Sequence, residues 1–330
     1  METKENVLLN IKDLHTWYQV YGGYLRVLEG VNLMVRQGEC VGLVGEAGCG
    51  KTTTMKSILR ILPSGDFLIP TGEIYYKGKD ILKMNSGEVQ KLRSQEIAMI
   101  FQDPTAALNP VFTLGTQIGD VVKSSIASAG EKVSREKLRE LSVKALKEVS
   151  LPDPERMLVN YPFQLSGGMK QRACIAMAIS SSRNLLLADE PGTSLDVTIQ
   201  DQILRLLKGI VEKRGISIIL ITHSLGVARE MTDRVYVMYA GTIVETARTG
   251  DLFKNPTHPY TKGLLASVPK LSGGGIARGI PGRIPDYLNP PRGCRFQPRC
   301  EHATPSCAET APQLLEVEKD HFVACYLAQR

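Results

Sequence analysis

No stretch of this chain stays apolar for the roughly 18 residues that a membrane-spanning helix needs. The longest candidate is GISIILIT, residues 215–222. The opening METKENVLLNIKDL lacks the unbroken apolar segment of a signal peptide, so the chain is expected to be made and kept in the cytoplasm. An excess of charge is missing too: 40 Lys and Arg against 34 Asp and Glu leave +6 in 330 residues, spread along the sequence and too mild for a nucleic-acid footprint. No internal repeat is visible. The close Cys-x2–4-Cys pairs of usual zinc sites are absent as well, although seven cysteines are present. What remains is ordinary globular material: 43% hydrophobic residues, enough for a real core, in a length that suggests about two domains.

Against that background GLVGEAGCGKTTT, residues 42–54, stands out. Glycine takes positive φ without a Cβ penalty and lets backbone approach a ligand closely. Gly45, Gly48, Gly50, Lys51 and Thr52 fit G-x-x-x-x-G-K-[ST]: backbone N–H groups cradle phosphates, the lysine reaches the β and γ groups, and the hydroxyl binds Mg²⁺. ECVGLV before it reads as a buried strand. KTTTMKSILRIL after it has helical apolar spacing, so the loop opens onto a helix N-terminus whose dipole favours anions. The alternative is a plain glycine-rich turn. LLLADEP, residues 185–191, supplies a second nucleotide signal: a buried strand from whose end Asp189 can hold Mg²⁺ and Glu190 can polarise an attacking water. A third is LSGGMKQR, residues 165–172, where a serine and two glycines open a helix, either as an anion-binding N-terminus or as an ordinary cap.

Strands and helices alternate around these signals. GEIYYKGKDIL, EIAMIFQDP, NLLLADEP and ISIILITHS read as strands, RVYVMYAGTIVETA as a hairpin, and GGMKQRACIAMAISS and TIQDQILRLLKGIVEKRG as helices. Residues 113–160 change character, with REKLRELSVKALKEVSL amphipathic at helical spacing, and read as a helical insert. The expected fold is α/β with a mostly parallel core sheet whose ligand lies at the strand C-terminal ends.

In this order the motifs closely resemble the nucleotide-binding subunit of ATP-binding cassette (ABC) transporters, in which LSGG is the family signature. The resemblance implies a P-loop cassette with an antiparallel β subdomain, ATP and Mg²⁺ as ligands, and hydrolysis by two subunits. The signature of each, here Leu165, Ser166, Gly167, Gly168 and Met169, closes over ATP on the partner's phosphate loop. It further implies Glu190 and His223 as catalytic residues. Tyr18 is implied as the aromatic that stacks on adenine, with Trp17 and Tyr24 as competitors. Glu46, Ala47, Cys49 and Thr53 complete the phosphate contacts. Gln102 joins Thr52 and Asp189 at Mg²⁺, and Ser194, Leu195 and Asp196 form the dimer-interface loop. Ala47 and Cys49 stand where serines are usual, and Gly192 where threonine is common. For Cys49 two readings stand open: a tolerated small residue, or a thiol made reactive by Lys51 and the helix N-terminus.

IFQDP…LNP, VNYPFQLSGGMKQR, ADEPGTSLDVTIQ, NPTHPYTKGLLASVPK and GCRFQPRC narrow the resemblance to the ATPase subunit of oligopeptide, dipeptide and nickel importers. That implies separate transmembrane permease subunits, a second and often paralogous ATPase, indirect work with an extracytoplasmic binding protein, and a place at the cytoplasmic membrane face. A soluble ABC-type ATPase acting on DNA or ribosomes is the alternative. Residues 1–265 are expected to form the nucleotide-binding domain, with a helical subdomain at about 103–175, and 266–330 a loop-built extension entered through a Gly- and Pro-rich linker. Cys294, Cys300, Cys307 and Cys325 crowd that extension at Cys-x5-Cys-x6-Cys-x17-Cys spacing. In a cytosolic chain such crowding points to metal rather than disulfides. The resemblance implies a [4Fe–4S] cluster, with zinc or no metal as alternatives.

Overall fold

A computed structural model describes residues 6–62, 67–68, 71–181, 183–268 and 279–329, so residues 269–278 of the expected linker lie outside the described residues. The chain divides into two compact units, Met1–Lys83 with Leu220–Arg330, and Met84–Ile219.

The first unit begins with two long antiparallel strands, β1 (Val7–Val20) and β2 (Gly23–Arg36). Then come β3 (Cys40–Val44), α1 (Lys51–Leu59), and the short strands β4 (Phe67–Leu68), β5 (Glu73–Tyr76) and β6 (Lys79–Asp80). β1 pairs antiparallel with β2, β4 and β5, and β5 with β6, which gives the antiparallel subdomain.

The second unit holds α2 (Ser86–Lys91), β7 (Ile97–Ile100), α3 (Pro104–Ala107), α4 (Leu114–Ser128), α5 (Arg135–Glu148), α6 (Pro154–Met157), α7 (Gly167–Ile179), β8 (Leu185–Asp189) and α8 (Val197–Arg214). β7 and β8 pair in parallel. All five residues of β8 are buried, as a strand covered on both faces requires. α7 buries Ala173, Ile175, Ala176 and Ile179, and each such Ile contributes roughly 1.5–3 kcal/mol by leaving water.

β9 (Ser217–Thr222) spans the division at Leu220. The first unit then resumes with α9 (Leu225–Met231), β10 (Arg234–Tyr239), β11 (Thr242–Arg248), α10 (Thr249–Lys254), α11 (Pro259–Ala266), α12 (Pro305–Glu309), β12 (Leu315–Glu318) and β13 (His321–Val323). β10 runs parallel to β3 and antiparallel to β11, confirming the hairpin. The tail is more ordered than its proline content suggests, because β13 pairs with β11 and β12 with β13. Phe296 is 3% exposed and packs on Tyr239 and Tyr260 at ring distances of 5.1 and 5.4 Å. The extension therefore gains a core by sharing one with β10 and α11.

Candidate nucleotide site

The phosphate loop lies wholly in the first unit. β3 delivers it, and Gly45, Gly48 and Gly50 take φ of 155°, 77° and 107°. A Cβ on Gly45 would collide with the carbonyl of Met238 and come within 2.9 Å of Cys49 Sγ, so only glycine fits there. Lys51 is 5% exposed and its Nζ donates to the carbonyls of Gly45 (2.8 Å) and Glu46 (2.9 Å). Gly50 caps α1 without a side chain and no acidic residue stands in the first turn. No carboxylate there competes with an anion for the helix N-terminus. By contrast Ser134, Ser166, Asp196 and Ser224 each cap their own helix with a side-chain oxygen.

Of the two readings open for Cys49, the structure favours the tolerated small residue. It is fully buried, and burial raises its pKa against the lowering effect of Lys51. Desolvation outweighs the lysine charge, which leaves the small-residue reading. Ala47 and Thr53 lie on the same loop and helix, and Thr52 opens the first turn. Tyr18 is half-buried on β1, two residues beyond Thr16, whose hydroxyl meets Ser57 of α1 at 3.3 Å. Trp17 points to the opposite face, where Arg26 covers its ring at 4.8 Å and Tyr24 stands 6.3 Å away. His223 is exposed just past β9.

The second unit gathers the residues expected to serve hydrolysis and to form the signature. Asp189, 4% exposed, ends β8, and Glu190 follows with a left-handed φ of 46°, sparsely populated for a residue with a Cβ. The Gln102 amide donates to Glu190 Oε2 at 3.2 Å, so two residues 88 apart in sequence meet. Gly192 has φ of 143°, which gives a conformational reason for glycine where threonine is common. Ser166 caps α7 by accepting from the Met169 N–H. A Cβ on Gly167 would lie 2.9 Å from Leu195, and one on Gly168 2.8 Å from Ile199, so the signature glycines admit the interface loop and α8 at close range. Leu165 is buried, Ser194 follows Glu190 by four residues, and Asp196 caps α8 by accepting from Ile199.

The four tail cysteines are free thiols. Burial pushes Cys294 up to about 11, and both Cys294 and Cys300 feel Cys307 and Cys325 as nearby like charges. Among the described residues, however, no three His, Cys, Asp or Glu side chains form a group that could hold a metal ion. The expected cluster or zinc centre is thus not assembled by these side chains.

The motifs do not reveal the polar contacts behind the loop. The Glu46 carboxylate is gripped by Arg299 at 2.7 and 3.0 Å, and the Glu46 N–H donates to Tyr260 Oη at 2.9 Å. The available signal was GCRFQPRC, whose arginines flank the cysteines that drew attention.

An uncapped helix behind a glycine-rich phosphate loop, an acidic pair closing a buried strand, and a serine–diglycine helix start define an ATP-binding cassette ATPase. Comparison with known proteins agrees. The ABC transporter profile matches residues 28–193, and the profile for the oligopeptide/dipeptide transporter C-terminal region matches 244–307. A probable peptide ABC transporter ATP-binding protein of Sinorhizobium fredii is 46% identical over 98% of this chain and 96% of its own length. The oligopeptide transport ATP-binding protein OppD of Bacillus subtilis is 43% identical over 97% and 88%. Among solved structures, the ATP-binding cassette MJ0796 bound to ADP and Pi superposes with a TM-score of 0.65 at 27% identity, covering 73% of this chain and 99% of that one. The chain belongs to the ABC transporter family, and it is an ATPase. These relatives are transport proteins, which sets aside the reading of an ATPase acting on DNA or ribosomes.

Proposed function

We propose that this chain powers the uptake of peptides through separate transmembrane subunits, hydrolysing ATP in a pair with a second ATPase subunit. The observation that carries the reading is the match of the oligopeptide/dipeptide C-terminal region at 244–307, joined to peptide-transport relatives of near-equal length.

Lys51 and the N-terminus of α1 hold the β and γ phosphates, and Tyr18 stacks on adenine. Thr52, Asp189 and Gln102 offer the oxygen donors that suit Mg²⁺, which neutralises phosphate charge when bound. Glu190 takes a proton from water as its oxygen bonds to the γ-phosphorus and the bond to the β–γ bridging oxygen breaks, giving ADP and phosphate. His223 donates to the γ-phosphate. The signature, Leu165 to Met169, and the loop of Ser194, Leu195 and Asp196 serve the partner's nucleotide.

Docking to the membrane subunits has a physical basis in the second unit. Val111, Phe112, Val159 and Phe163 are 50–71% exposed, and Tyr161 stacks on Phe163 at 5.6 Å. Backbone bonds from Leu114 and Gly115 to Asn160 and Leu158 tie the two loops together. Such an exposed apolar cluster marks an interaction surface. Among the described residues no helix is long and apolar enough to cross a membrane. Peripheral attachment at the cytoplasmic face follows from the reading, as does indirect work with an extracytoplasmic binding protein. A [4Fe–4S] cluster on Cys294, Cys300, Cys307 and Cys325 is the finest part of the proposal; its support is the cysteine spacing and the family resemblance alone, since the described side chains bring no three ligating groups together. Anaerobically purified protein should contain about four iron atoms per chain; zinc alone, or no metal, rejects it.

Isolation of membranes with the tagged chain tests the core claim. Permease subunits should co-purify, and ATP hydrolysis by that complex should require them or rise with them. Recovery of the chain without any integral membrane protein would refute it.

A further inference from the structure

The phosphate loop is braced from behind by side chains of the C-terminal extension, all within the first unit. Tyr287 Oη donates to the carbonyl of Gly48 at 2.8 Å. Arg299, its side chain 4% exposed, donates through both terminal nitrogens to the Glu46 carboxylate at 2.7 and 3.0 Å. The same guanidinium is itself fixed by the carbonyls of Pro281 (2.8 Å) and Ile280 (3.0 Å) and by Tyr239 Oη at 3.3 Å. Tyr287 is anchored in turn, its carbonyl accepting from the Arg26 N–H at 2.8 Å. Arg295 adds a third tie. Its guanidinium donates to the carbonyls of Arg26 and Ala240, and the neighbouring Gly241 N–H donates to the Cys49 carbonyl at 2.8 Å.

These contacts fall on the x positions of G-x-x-x-x-G-K, whose backbone must present its N–H groups toward phosphate. A loop of small residues has little packing of its own to hold that shape, and conformational freedom retained in the free state is a cost to binding. A planar, bidentate guanidinium pair imposes orientation as well as attraction.

We infer that Arg299 and Tyr287 are positioning residues for ATP: the extension acts as a strut that holds Glu46 and Gly48, and so the phosphate loop, in its binding shape. This rests on the nucleotide reading of the loop. Neither residue touches ATP; each acts through the loop. A strut of this kind makes nucleotide affinity depend on the seating of the extension.

The test is equilibrium binding of a non-hydrolysable ATP analogue with Mg²⁺ to the full chain, together with ATPase kinetics of the assembled complex. Arg299→Ala should weaken binding about tenfold, the scale of one lost charge-assisted hydrogen bond. KM for ATP should rise while kcat at saturating ATP is kept. Arg299→Lys should recover part of the affinity. Tyr287→Phe, which keeps the ring and so preserves the packing, should weaken binding in the same direction. Glu46→Ala combined with Arg299→Ala should be no worse than the weaker-binding single variant. Arg248→Ala removes an exposed ion pair with Asp320 that is none of the contacts to the loop and should leave affinity unchanged. Wild-type affinity in both Arg299→Ala and Tyr287→Phe, or additive losses in the double variant, would overturn the strut while sparing the nucleotide reading. Failure of the wild type to bind the analogue would overturn that reading itself.

Discussion

At the scale of single residues, Lys51 and Glu190 separate binding from chemistry. In the proposed mechanism Lys51 contacts phosphate in the ground state, whereas Glu190 acts on the water. Glu190→Gln should therefore keep ATP binding and lose about 10²–10⁴-fold in turnover, while Lys51→Ala should lose affinity. Single-turnover hydrolysis alongside analogue binding distinguishes the two, and near wild-type turnover in Glu190→Gln would remove it from the base role. The left-handed backbone at Glu190 and its bond from Gln102 hold the carboxylate in one place. Cys49 shows where charge and burial compete. A neighbouring lysine alone argues for a reactive thiolate, but full burial decides the direction. An aromatic disulfide reagent should label Cys49 only after denaturant is added; rapid labelling of the native protein would contradict the burial.

At the scale of elements, α7 and α11 carry separate predictions. Gly168→Ala gains about 1 kcal/mol of helix propensity, but its Cβ meets Ile199 at 2.8 Å, and overpacking costs about 1–3 kcal/mol. Stability should thus fall slightly, by a few degrees in Tm at most, while ATPase of the assembled complex falls far more. Equal retention of both would detach the signature from function. His258, 1% exposed, caps α11 by accepting from the Tyr260 N–H. Burial lowers its pKa from 6.5 to about 4, against the raising effect of Glu245. A histidine kept neutral by the fold stabilises fully above pH 6.5, and that contribution is lost as pH falls from 6.5 toward 4. The difference is worth about 3 kcal/mol. Denaturant unfolding should show this decline, and His258→Asn, which keeps a capping oxygen, should flatten it.

Elements also show what the sequence makes legible. β3, α1, β7, α7, β8, α8, β9 and the β10–β11 hairpin were readable because each is a short buried apolar run, a helix with an apolar face or, in α7, a helix of small and apolar residues buried nearly all round. β1 and β2 were not. Register shifts between Ile11 and Leu14 and between Leu14 and Thr16, with Asp13 at positive φ, break the two-residue alternation that marks a strand. β13 was hidden for another reason: three residues become a strand only by pairing with β11. The phosphate loop, acidic pair and signature were legible because their chemistry demands fixed spacing. The hold of Arg299 on Glu46 joins positions 253 apart, and no local pattern encodes it.

For the molecule as a whole, the proposed function is that of an engine that works only in company. It presents an exposed apolar cluster around Phe112 and Phe163, assigned in the proposed function to other subunits, as the signature is to a partner's nucleotide. The most direct test is peptide uptake by cells that lack this gene and retain the other subunits. Uptake of a labelled di- or oligopeptide should be lost, regained with the wild-type chain, and not regained with Glu190→Gln expressed at the same level. Undiminished uptake without the gene for every peptide tried, or equal rescue by Glu190→Gln, would contradict the claim that ATP hydrolysis by this chain drives peptide import.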